Sequence, residues 1–135
     1  MTLDEVLSRI INDGIEAAKH DYAPENYGGD RPTQRGLLAG SVAGFEACRG
    51  KTPDELKALL HDARQKSHDA MATVYHLDGK RKADLKAVWY AKGYEGEVEW
   101  VCNCVSAVLM NEGLPTIVPP TARGMMRVAE IVGVK

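Results

Sequence analysis

Glycine recurs at every fourth residue in the segment PTQRGLLAGSVAGFEACRG, at Gly36, Gly40 and Gly44. An interior glycine costs a helix on the order of 1 kcal/mol relative to alanine, so a helix that keeps three of them needs a compensating gain. Read as a helix, the segment places Gly36, Gly40, Ala43 and Ala47 along one face, while Leu38, Val42 and Phe45 point the other way. Small residues let a neighbouring helix approach backbone to backbone, and that approach supplies the compensation. Both faces are then buried, which puts this helix at the centre of a helical bundle. In a soluble chain the spacing marks tight internal packing more often than a dimer seam. The sequence leaves open whether the opposing helix belongs to the same chain.

The flanking segments carry helical periodicity as well. Thr2 and Glu5 have the capping-box spacing, and behind them Leu7, Ile11, Ile15, Ala18 and Tyr22 form a stripe, predicting a first helix from about Leu3 to His20. APENYGGDRP, with two prolines and paired glycines, reads as loop. Asp30 is the expected N-cap of the glycine-rich helix, with Pro32 in its first turn. Thr52-Pro53-Asp54-Glu55 is a strong start for a third helix carrying Leu56, Leu60, Ala63, Ser67, Ala70 and Val74, which ends near the turn LDGK. A fourth helix is predicted from about Ala83 to Glu112 on a stripe of Tyr94, Val98, Val101, Val105 and Val108, with Gly113 as its stop. Two glycines in KGYEGE predict a kink or break near Gly93 to Gly96. EVEWVCNCVSAV lacks the alternation of a strand, and Thr121 caps a last short helix, ARGMMRVAEIVG. The expected fold is all-α, a single domain over residues 1–135 built as a compact bundle of about five helices around a Gly/Ala-rich central one.

Composition narrows the function classes. With 17 basic and 19 acidic residues the formal charge is −2, so no global field favours nucleic acid or an anionic membrane. Three cysteines, Cys48, Cys102 and Cys104, make an odd number without a CxxC pair, which points to a reducing cytoplasm rather than a disulfide framework or zinc knuckle. The amino terminus carries acids where a signal peptide carries basic residues, and no stretch reaches the roughly 20 apolar residues that cross a bilayer.

His-Asp pairs occur three times, at His20-Asp21, His61-Asp62 and His68-Asp69. On a helix His61 and His68 lie ~10.5 Å apart along the axis, whereas helical zinc sites space their histidines at i and i+4. All-helical HD-type phosphohydrolases use one adjacent pair with a histidine from an earlier helix, and His20, His61 and Asp62 are the residues that could play those parts. Solvated helix polarity explains the pairs better. Glu46 is the one charge between Arg35 and Arg49 on the glycine-rich helix, and an internal ion pair with Arg49 is expected. Glu95, Glu99 and Asn103 form an i+4 ladder but have no ExxE or ExxD counterpart, so they read as a polar helix face.

The 22–35 connection gathers an exposed aromatic, paired glycines and four charges. Tyrosine and arginine are frequent interface anchors, so Tyr27, Arg31 and Arg35 are the first candidates for contact with a partner or ligand. Asp30 lies among them, Glu46 and Arg49 are further candidates, and Arg123 adds a cation from the last helix. The GKRK turn lacks the interleaved aromatics of a nucleic-acid site. No phosphate-binding loop is present, Ser41, Ser67 and Ser106 sit within helices, and Cys102 and Cys104 read as buried inert thiols.

GSVAGFEACRGKTPDEL, EVEWVCNCVSAVLMNEGLP and PPTARGMMRVAEIVG resemble segments of small uncharacterised accessory proteins of tailed phages and prophages. The resemblance implies action in the bacterial host cytoplasm and brings no catalytic residue with it. The expected function is a non-enzymatic helical binding protein without a cofactor. It would engage a host protein or a small ligand, with antagonism of host defence as the class-level reading. Two alternatives remain: an HD-like metal-dependent phosphohydrolase, and a homo-oligomer that sequesters a nucleotide using Tyr27, Arg31 and Arg35 at a subunit junction.

Overall fold

A computed structural model describes residues 3–76 and 82–109, and every element in them is helical. The elements are α1 (Leu3–Asp21), α2 (Pro24–Tyr27), α3 (Pro32–Cys48), α4 (Pro53–Val74) and α5 (Lys82–Leu109). The fold is therefore all-α, with the glycine-rich helix α3 at its centre. The Thr2 cap, the LDGK turn, most of GKRK, the Gly113 stop, and the last predicted helix with its Thr121 cap and Arg123 lie outside the described residues.

Among the described residues the interface between α3 and α5 is the most extensive. A Cβ added at Gly36 would overlap the Tyr90 carbonyl oxygen, and one at Gly40 the Tyr94 carbonyl oxygen. At Gly44 it would lie 3.3 Å from the Val98 Cα. Gly93 answers from the other side, where a Cβ would stand 2.6 Å from the Thr33 oxygen. These residues meet because none carries a side chain that would hold the backbones apart. The glycine face thus packs within the chain, and the seam runs on to Gly44, leaving Ala43 and Ala47 at its edge.

Residue numbers rise together along this seam, so α3 and α5 run parallel. Parallel neighbours cannot be joined by a tight turn, and the 22 residues of α4 make the return, packing antiparallel along α5 with Arg64 set against Glu99 at 3.8 Å. On the opposite side α1 runs antiparallel to α3: the Phe45 ring fills the space above Gly14, and Arg49 Nη2 donates to Asn12 Oδ1 at 3.0 Å. The predicted α1 stripe of Leu7, Ile11, Ile15, Ala18 and Tyr22 is buried throughout. It joins Phe45, Leu56, Ala63, Val101 and Val105 in the core.

Three local expectations need correction. The proline-rich stretch expected as pure loop contains the single turn α2, started by Pro24 and closed by Gly28, whose φ of 97° is left-handed. The N-cap of α3 is Arg31, without a side-chain cap bond, because the Asp30 carboxylate is taken by Arg35 instead. No break occurs at Gly93 to Gly96, since α5 is packed there and continues as one helix of 28 residues.

The start of α4 matches its sequence signature. Thr52 Oγ1 accepts from the Glu55 amide at 3.2 Å while Glu55 Oε1 accepts from the Thr52 amide at 3.1 Å. Thr52→Ala is expected to cost about 1 kcal/mol of stability through loss of this cap, measurable as a lower urea midpoint with unchanged slope. Among the described residues no helix is long and apolar enough to cross a membrane.

Candidate functional site

The 22–35 connection is tied to the core at its first residue. Tyr22, 2% exposed, donates its hydroxyl to Glu97 Oε1 at 3.1 Å and accepts at its main-chain oxygen from Gln34 Nε2 at 2.5 Å. Asn26 Nδ2 reaches back to the His20 oxygen at 2.8 Å. Arg35 then closes the connection by a two-pronged pair with Asp30, Nε to Oδ1 at 2.5 Å and Nη2 to Oδ2 at 2.8 Å. That hydrogen-bonded pairing holds the Asp30 carboxyl below its usual range and pushes the Arg35 guanidinium up.

These ties fix what the connection presents. Tyr27 stacks edge-on against Tyr22 with ring centroids 5.5 Å apart, yet remains 44% exposed. Arg31 is exposed and pairs with no other described residue. Arg35, expected among the contacts to a partner or ligand, is paired with Asp30 at the surface. The structure thus places Tyr27, Asp30, Arg31 and Arg35 in one short stretch, with Asp30 and Arg35 paired to each other and Tyr27 and Arg31 exposed.

Glu46 and Arg49 do form an ion pair, Nε to Oε2 at 3.0 Å, but it lies at the surface rather than inside. One residue beyond the buried Phe45, position 46 is rotated by about 100° and faces outward. The hydrogen-bonded guanidinium holds the Glu46 carboxyl below its usual range, and Arg49 links α3 to α1 through Asn12.

Among the described residues the buried carboxylate is Glu97, only 5% exposed. Burial pushes its carboxyl above the usual range, opposed by the hydroxyls of Ser41 and Tyr22. A protonated Glu97 can donate to Ser41 Oγ, which has no other partner among the described residues. Sequence reasoning missed this residue, although a signal was there: Glu97 is in phase, four residues at a time, with the buried Val101 and Val105.

The His-Asp pairs do not converge. His20 and Asp21 bond each other at 3.0 Å at the surface, and Asp62 pairs with Lys66 at 3.1 Å. His61 and His68 line a shallow groove with Arg64 and Glu99, while Asp62 lines a different one among α3, α4 and α5, as the helical rotation of adjacent residues requires. Among the described residues no group of three or more His, Cys, Asp or Glu side chains could hold a metal ion, so His20, His61 and Asp62 are not brought together. On α5, Trp89 and Tyr90 are partly exposed, but Tyr90 stacks on Tyr94 and Lys92 sits over Trp89. Compared with known proteins, the chain matches no protein-family model, no curated protein and no solved structure.

Proposed function

We propose that the protein is a non-enzymatic helical binding protein that contacts a protein partner through the 22–35 connection. The observation that carries this reading is the pinning of that connection on Tyr22, Gln34 and the Asp30–Arg35 pair, with Tyr27 and Arg31 left facing out. A contact surface held in place before binding loses less conformational entropy on association, and tyrosine and arginine are the side chains that most often anchor interfaces. The resemblance to phage accessory proteins extends the proposal: the partner is a bacterial host protein, and the protein acts in the host cytoplasm against host defence.

The test pairs capture from bacterial lysate with native mass spectrometry of the purified chain. Wild type is expected to carry a stoichiometric partner, and the Tyr27→Ala/Arg31→Ala double variant to keep its melting temperature while binding at least ~100-fold more weakly. A complex that survives both substitutions would sink the proposal. So would a stoichiometric divalent metal lost in His61→Ala, which favours the phosphohydrolase alternative. A co-purified nucleotide in a homo-oligomer would favour sequestration instead.

A further inference from the structure

The parallel seam keeps a constant register, with Gly40 opposite Tyr94 and Gly44 opposite Val98, and the next rung sets Cys48 opposite Cys102. Their sulfurs are 3.9 Å apart and both residues are fully buried. We propose that Cys48 and Cys102 are an oxidation site, which a hydroperoxide converts into an intramolecular disulfide fastening the end of α3 to α5.

Backbone spacing is the usual obstacle to a disulfide between two helices. Cα atoms joined by a disulfide lie ~4.4–6.8 Å apart, whereas packed helix axes are normally ~8–10 Å apart. Here the glycine ladder draws the two backbones into direct contact up to the turn before Cys48. The sulfurs, already in contact, need to approach by about 2 Å to reach bonding distance. Cys104 is excluded by geometry: two residues along α5 from Cys102, it faces another side of the helix.

The thiols also differ in readiness. The S–H that Cys48 donates to Cys102, together with burial, pushes the Cys48 thiol up, and the same contact pulls Cys102 down. Burial, with the charge of Glu97 adding to it, pushes Cys104 up to about 12. Cys102 is therefore the attacking sulfur. Its thiolate attacks one peroxide oxygen, the O–O bond breaks, and the departing hydroxide takes up a proton to leave as water, with a sulfenic acid on Cys102. Cys48 then attacks that sulfur; the S–S bond forms, the S–O bond breaks, and the second hydroxide leaves as water with the Cys48 proton. Two thiols are oxidised by two electrons in all, and one hydrogen peroxide is reduced to two waters. Access comes through the end of α3, where Cys48 is the last helical residue and fraying is easiest.

The experiment treats the reduced full-length protein with hydrogen peroxide, then denatures and alkylates it for intact-mass and peptide analysis. Expected are a loss of ~2 Da, one alkylatable cysteine identified as Cys104, a cross-linked Cys48–Cys102 peptide, and a melting temperature raised by about 5–10 °C and restored by dithiothreitol. Cys104→Ala is expected to form the same bridge. Three cysteines still alkylatable, pairing with Cys104, a bridge between chains, or separate oxidation to sulfinic acid would each overturn the proposal.

Discussion

Gly40→Leu is expected to cost ~3 kcal/mol or more, at the upper end of what overpacking imposes, and so to consume much of a total stability of about 5–15 kcal/mol. At this position the obstacle is main chain. A Cβ would overlap the Tyr94 carbonyl oxygen and stand 2.9 Å from both its carbonyl carbon and its Cα. A side chain in the way could turn aside; a helix backbone yields only if α3 and α5 separate, and that separation uncovers Phe45, Val101 and Val105 together. The control is Gly96→Ala, where an added Cβ meets nothing within 4 Å. Relieved of glycine's helix penalty, that variant is expected to gain ~0.5–1 kcal/mol. Urea denaturation followed by circular dichroism checks both. Two shifts of the same sign would mean that contact across the seam does not set the role of these glycines.

That contrast shows what could be read in advance. Three glycines at a spacing of four predicted close approach by another helix, and the Leu7-to-Tyr22 stripe and the Thr52 cap were equally plain, because each is a repeat or a short-range bond contained in one segment. Gly93 and Gly96 look alike in the sequence and suggested a break. In the fold one is pressed against Thr33 and the other faces open space, a distinction made by a helix about 60 residues earlier in the chain. Asp30 has the right type and place for an N-cap, but the fork of a nearby guanidinium offers two charge-assisted bonds where the helix end offers one or two neutral donors.

The candidate site divides in the same way. The exposure of Tyr27 and Arg31 was legible from residue type and loop context. Their support was not, since the Tyr22 hydroxyl finds its partner 75 residues away. Glu46 is a solitary charge on a helix with two apolar faces in its sequence, yet a step of about 100° past Phe45 is enough to turn it to solvent. Glu97 sat in phase with a valine stripe and was masked by Glu95 and Glu99, whose spacing suggested a wholly polar face.

Glu97→Gln is expected to change how stability depends on pH. Around this carboxyl stand the hydroxyls of Tyr22, just past the end of α1, and Ser41 on α3, with the Cys104 thiol on α5. Burial raises the folded-state carboxyl above its unfolded value, so the native protein holds this proton more tightly than the unfolded chain does. The sign follows: the contribution is fully present below the usual carboxylate range and declines as pH rises, until the folded group itself ionises. Glutamine keeps an acceptor for Tyr22 and a donor for Ser41 but cannot ionise. Relative to wild type it should therefore gain stability with rising pH across that window and run parallel to it above. Urea midpoints taken from pH 4 to 8 measure the difference, and wild-type and variant curves parallel over the whole range would show that burial does not govern this group. Glu97→Ala separates packing from ionisation. It lacks the same proton, so its difference from wild type should change with pH in parallel with that of glutamine, displaced from it at every pH by ~2–4 kcal/mol for the cavity and for a buried Tyr22 hydroxyl without its Glu97 acceptor.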